Sequence, residues 1–296
     1  MNPAGLVVQS AAFVTSGAGL RFRMVSEPAD RRVCGTVVLV HAFAEEMNKS
    51  RRMAARMARL LAGDGWRVVQ RDLCGCGDSS GDFGDATWAD WAQDVDEELA
   101  MAEPHGPIWL WCERAGALLA TAALAVHSGV NVLLWQPVMS GAQHLQQFLR
   151  LHAGARIVGS AKDDASSSPI ERLRSGVAVE LGGYPLNPAL AMGLEQASFD
   201  LPATFEGRVV WFEVSADESP TLSPQGVRVA QRLRERGIAI EAEALSGPPF
   251  WQTQEIEECE ALLERTRALL SDHAASNPTA ASRVDMGRAV AHDISS

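Results

Sequence analysis

The stretch IWLWCERAGALLATAALAV, residues 108–126, decides how this chain is read. A fully apolar run, IWLWC, gives way to a short polar break and then to an Ala- and Leu-rich segment of helical composition. Strand, tight turn and helix in that order form the module that, in the pattern G-x-S-x-G, lifts a serine nucleophile to the tip of the turn. Here the five positions read Cys112, Glu113, Arg114, Ala115 and Gly116. The tip is an arginine, which stays protonated at any ordinary pH and is no nucleophile.

Outward from that module, β-branched apolar runs alternate with helical stretches. That alternation specifies a mostly parallel sheet with helices on both faces. Two leading strands are expected near 6–14 and 20–26, followed by a buried strand in CGTVVLVHAF (34–43). Next come a helix over 49–65, a strand WRVVQRDL, a Gly-rich loop (74–84) and a helix from about 87 to 102. The strand 107–113, the helix 115–127 and strands over 131–138 and 208–216 continue the rhythm. A helix 224–236, a strand ending at Ser246 and a closing helix 252–270 complete it. The expectation is one α/β domain over residues 1–270, with a doubly covered twisted sheet. Between 139 and 207 the rhythm breaks, as for a small cap-like insertion after the sixth strand, over the strand ends where such sheets bind ligands. The segment 271–296 lacks apolar periodicity and reads as a disordered tail.

Composition narrows the function. A net charge of −11 offers no basic face to nucleic acid. No apolar run reaches the ~18 residues of a membrane span, and the first residues lack the basic and apolar regions of a secretory signal. A cytoplasmic protein is expected. Gly75-x-Gly77 lacks the spacing of a dinucleotide fingerprint, and Cys74-x-Cys76 has no nearby histidine or third thiol for zinc, so no cofactor and no metal are expected.

A Ser-His-acid triad needs its members in the chain order Ser, Asp/Glu, His. Asp217 follows the strand 208–216, where the acid belongs. The histidine belongs after the last strand, and that segment reads GPPFWQTQEIEE, with Trp251 and no imidazole. His273 falls in the expected tail. Two of three members are absent, so the residue pattern is a pseudo-triad. Ionisable groups gather instead in two loops. HAFAEEMNKSRR (41–52) supplies His41, Glu45, Glu46, Asn48 and Arg51, in the position from which this fold gives an oxyanion donor; a helix-capping role for Asn48 or Ser50 is the alternative. RDLCGCGDSSGD supplies Asp72 and Asp78. Glu113, beside the tip, is a candidate base or the partner of a cation.

With these residues laid out, the chain resembles the second type of exosortase A system-associated hydrolase, a branch of the α/β-hydrolases. The resemblance is carried by HAFAEEMNKSRRMAAR, DLCGCGDSSGDFGDATWADWAQDV, LWCERAGALLA, LLWQPVMSGAQHLQQFLRL, GGYPLNPALA and PPFWQTQEIE. Ala42 departs from the branch's usual proline, and Cys112 from the first glycine of the turn. The resemblance implies the α/β-hydrolase fold, a bacterial cytoplasmic setting and a link to exopolysaccharide or exported-protein processing.

Two functions follow as expectations. In one, an acyl or glycosyl ester is hydrolysed or transferred at a non-serine site. Arg114 there holds an anionic group at the positive end of a helix. Glu45, Glu46, Glu113 and Asp217 supply acid or base, and His41, Asn48, Arg51, Asp72, Asp78 and Trp251 line the site. In the other, the same pocket binds an anionic ligand or a partner protein without catalysis.

Overall fold

Six residues of GTVVLV, every one buried, form the strand β3 (Gly35–Val40) at the middle of the sheet. The computed structural model describes residues 5–17, 19–102, 106–156 and 168–276. Ahead of β3, β1 (Val7–Ser16) and β2 (Gly19–Pro28) pair as an antiparallel hairpin. After it come β4 (Trp66–Arg71), β5 (Ile108–Glu113), β6 (Asn131–Trp135), β9 (Val209–Ser215) and β10 (Ile240–Ser246). The eight strands lie in the order β1-β2-β4-β3-β5-β6-β9-β10. β2 runs antiparallel to β4, and every pairing from β4 to β10 is parallel.

Period-two alternation sorts the strand side chains onto two apolar faces. Val37, Leu39, Trp109, Trp111, Leu133, Trp135 and Phe212 pack against α1 (Glu45–Gly63) and α8 (Glu260–Ser276). Val38, Val40, Leu110, Cys112, Val132, Leu134 and Trp211 pack against α2 (Trp88–Ala102) and α3 (Gly116–Val126), with Val229 and Leu233 of α7 (Pro224–Glu235) in the same cluster. Both faces are covered, which is why the strands read as near-continuous apolar runs.

Three sequence expectations move. α1 begins at Glu45, not near 49, so most of the 41–52 segment is helix rather than loop; its N-cap is Ala44, which makes no side-chain cap bond. Neither Asn48 nor Ser50 caps it. The last helix starts at Glu260 rather than 252, because Pro248 and Pro249 lead into a run of turns. It also continues past 270 to Ser276, since His273 is anchored on the Trp109 ring (centroids 5.3 Å apart) and on Arg208. The remainder of the expected tail, from 277, lies outside the described residues.

Between β6 and β9 the chain forms α4 (Gly141–Arg156), α5 (Pro169–Arg174), a two-stranded hairpin of β7 (Val179–Leu181) and β8 (Tyr184–Leu186), and α6 (Pro188–Gln196). Of the expected 160–169 loop, 160–167 lie outside the described residues. Ser168 opens α5 with a capping box to Glu171.

Candidate functional site

β5 ends at Glu113, Arg114 turns the chain, and α3 starts two residues on. Arg114 sits at φ 50°, a left-handed conformation uncommon for a side chain of its size. The turn closes because Gly116 has no Cβ, which would lie 2.4 Å from the carbonyl oxygen of Val40. Cys112, in place of the first glycine, does not prevent closure; its thiol is buried in the α2/α3 face.

The Arg114 guanidinium is held on three sides. Nε and Nη2 donate to the same oxygen, Oε1 of Glu46, at 3.2 and 3.0 Å, and Nη1 donates to the Gln136 carbonyl at 3.1 Å. Its Cζ lies 5.1 Å from the centroid of a Trp251 ring, a cation–π contact. Trp251 thus reaches the turn from the segment that follows the last strand of the sheet. Both members of the ion pair are largely covered, with 16% and 18% of their side-chain surfaces exposed.

Backbone strain concentrates here. Among the described residues four non-glycine positions have positive φ: Arg31, Ala44, Arg114 and Gln136. Three of them surround the pair. Arg114 carries one partner, Gln136 supplies a carbonyl, and Ala44 (φ 50°, ψ −125°) launches the helix that bears Glu46. Such strain persists only where the surroundings enforce it, and it clusters at functional sites.

His144, on the first turn of α4, completes the mouth, and the sequence reading overlooked it. It is buried, edge-on to Phe43 (centroids 5.9 Å apart), and its Nε2 has no hydrogen-bond partner. Burial lowers its pKa; the nearby Glu46 charge acts the other way and Arg114 reinforces the lowering. The imidazole is therefore neutral at neutral pH. Oε2 of Glu46 is likewise buried without a partner. A lone histidine on an amphipathic helix has no spacing signal; only its position just after the sixth strand could have drawn attention.

Of the remaining expected residues, some form a second cluster and some turn away. His41 is tied between backbone groups: Nδ1 donates to the Ala42 carbonyl at 2.8 Å, and Leu73 N–H donates to Nε2 at 3.3 Å. Burial lowers its pKa, so it is a neutral strut between β3 and the end of β4. Arg51 pairs with Asp72 at 3.0 Å, and Asp72 also accepts the Asp78 N–H at 3.0 Å. Gly77 admits this pair; a Cβ there would fall 2.0 Å from Asp72 Oδ2 and 2.3 Å from Arg51 Nη2. Asp78 contributes its backbone, and its side chain is exposed. Glu45 lies 3.6 Å from Lys49 at the surface, and Asn48 donates to the Tyr184 hydroxyl at 3.0 Å. Asp217 is exposed, accepting from Ser215 Oγ at 2.7 Å. Glu113 faces beneath α1 and is not among the partners of Arg114. His273 sits against Trp109, four residues before Glu113 on β5, far from the mouth.

A buried ion network, also unforeseen, steadies the 72–79 loop. Asp94 on α2 accepts from Arg21 Nε at 2.9 Å, Arg71 Nη2 at 3.0 Å and the Cys74 N–H at 2.7 Å. Arg23 reaches Glu98 at 2.7 Å. Each charge is offset by a partner, as burial requires.

An eight-stranded, mostly parallel sheet with this strand order, and a sharp strand–turn–helix at its centre, is the α/β-hydrolase fold, and the chain has that fold. Residues 31–167 match the family described as Serine aminopeptidase, S33. No curated protein matches the chain significantly in sequence. Among solved structures, it is similar to Est1E from Butyrivibrio proteoclasticus with bound ferulic acid (13% identity, TM-score 0.60, covering 90% of this chain and 100% of that one). It is also similar to a thermostable carboxyl esterase from Bacillus coagulans in complex with glycerol (14% identity, TM-score 0.60, covering 90% and 99%). A soluble variant of monoglyceride lipase from Saccharomyces cerevisiae aligns at 12% identity and TM-score 0.59, covering 90% and 95%. At such identities the likeness is one of fold. No helix among the described residues is long and apolar enough to cross a membrane.

Proposed function

We propose that this protein is an α/β-hydrolase-fold binding protein whose mouth takes a hydroxyl-bearing small molecule, a glycan or acylated glycan, without serine chemistry. One observation carries the reading: Glu46 Oε2 and His144 Nε2 are buried and unpartnered beside a pinned Arg114. Each orphaned atom costs ~1–3 kcal/mol. A carboxylate oxygen that only accepts, next to an imidazole nitrogen that donates or accepts according to tautomer, suits a hydroxyl group. The indole of Trp251 adds an apolar face. Arg114 has five N–H groups, of which three are engaged by the chain itself. Its charge is offset by Glu46, which favours a neutral ligand over an anion. The resemblance to exosortase A system-associated hydrolases supports a cytoplasmic role in exopolysaccharide metabolism.

The neutral His144 supports a second reading. An imidazole with a free Nε2 beside a carboxylate can take a proton from water, and the water can attack an ester bound at the mouth. Glu46 would then orient or polarise the imidazole, and Asp217 would take no part.

Ligand-observed NMR with neutral oligosaccharides, run beside a panel of p-nitrophenyl and thioester substrates, separates the two. Binding without turnover, lost in Glu46→Gln and His144→Phe, is expected. Turnover that His144→Phe abolishes would establish the enzyme; neither binding nor turnover would defeat both readings.

A further inference from the structure

A cavity of about 280 Å3 lies between α1 and strands β1 to β4, and none of Arg114, Glu46, His144 and Trp251 lines it. Its lining is mixed: Phe22, Met24, Leu39 and Met47 form an apolar stretch, Gln9 and Gln70 add amides, and Arg59 is exposed. Glu113 reaches it from the end of β5. That glutamate is 2% exposed, and its Oε1 has no hydrogen-bond partner. The other charges lining the cavity are matched within the chain: Arg51 by Asp72, and Arg71 by Asp94 and Glu97. Among the described residues, Arg59 has no ion-pair partner. One exposed cation and one buried carboxyl, each without an ion-pair or hydrogen-bond partner among the described residues, are left in a lining that also carries an apolar stretch.

We propose that this cavity binds a small hydroxy acid, its carboxylate on Arg59, its chain along the apolar stretch and its hydroxyl on the Glu113 carboxyl. Burial pushes the Glu113 pKa up to about 8, so at neutral pH it enters the cavity as an uncharged acid that both donates and accepts. A hydroxyl satisfies both of those roles. An ammonium head would instead require an ionised pair in a dry site, where desolvation offsets much of the attraction. The volume is at the small end for ligand pockets, which limits the occupant to a short chain. This site shares no ligand-contacting residue with the Arg114 mouth and does not depend on the function proposed for it.

Isothermal titration of the full chain at neutral pH, with ω-hydroxy acids from hydroxybutyrate to hydroxyoctanoate and the plain fatty acids of equal length, tests the proposal. At least one hydroxy acid is expected to bind about tenfold tighter than its plain counterpart, the factor one net hydrogen bond gives. Glu113→Met should erase that preference while Glu113→Gln, which keeps a hydrogen-bonding head, retains it. Arg59→Ala, at an exposed position, should weaken binding about tenfold. No saturable binding by any member of the series overturns the proposal. So does equal affinity for hydroxy and plain acids, or binding indifferent to Arg59→Ala.

Discussion

Arg114 and Glu46 meet 68 residues apart in sequence, two guanidinium nitrogens converging on one carboxylate oxygen and leaving the other oxygen bare. That asymmetry fills the tip of the strand–turn–helix with an internal ion pair and leaves a hydrogen-bond acceptor beside it.

Because both partners are largely covered, removing one leaves the other uncompensated. Arg114→Ala and Glu46→Ala should each destabilise the fold by about 2 kcal/mol, less than for a fully buried pair because part of each side chain still meets water. The double variant should cost less than the sum of the two, with a coupling of about 1 kcal/mol or more. Urea unfolding of the four proteins measures this; additive effects would show that the pair contributes nothing.

Ala44 pays a conformational cost that glycine would not. Its φ of 50° with ψ of −125° belongs to a region that residues with a Cβ rarely occupy. Ala44→Gly should therefore stabilise the protein by about 1 kcal/mol, after the larger unfolded-state entropy of glycine is subtracted. A fall in the urea midpoint would contradict the strained backbone.

Glu113 makes stability depend on pH. Burial raises its folded pKa from 4.5 to about 8, while the unfolded carboxyl ionises near its ordinary value. Between those limits the folded state holds the proton and the unfolded state does not, so stability declines as pH rises through the window and levels off above about 8. The decline due to this group is at most about 5 kcal/mol. Glu113→Gln, which cannot ionise, should lose much less stability over the same window in urea titrations; an unchanged pH profile would refute the shift.

Much of the fold was legible because both faces of the sheet are buried, so each strand announces itself as an apolar run and each helix as an interruption. Helix ends were less legible. Asn48 and Ser50 have the chemistry of caps, yet α1 begins at Ala44, where backbone geometry rather than a side chain sets the start. At the site, Arg114 could be placed at the tip from the strand–turn–helix pattern, and Glu46 lay among the acids of the following segment. His144 could not be found that way, because an isolated histidine forms no motif. The Arg21–Asp94 pair joins residues 73 apart, and no local pattern reports such a contact. Glu113 and Arg114 are neighbours in sequence but go to different places, since one residue along a strand reverses the facing side.

Restoring the missing hydroxyl alone should not restore a serine hydrolase. In Arg114→Ser the serine would sit at the tip of the turn, but residues 247–259 after β10 contain no histidine, and Asp217 is exposed and bonded to Ser215. Without a base to accept its proton, a serine is a weak nucleophile. The variant also leaves Glu46 unpaired, a negative charge that opposes a developing oxyanion. A fluorophosphonate probe should therefore leave Arg114→Ser unmodified under conditions that label an ordinary esterase to completion. If it is labelled, and His144→Phe in the same background abolishes the labelling, then the buried imidazole of α4 serves as the base that the segment after β10 lacks.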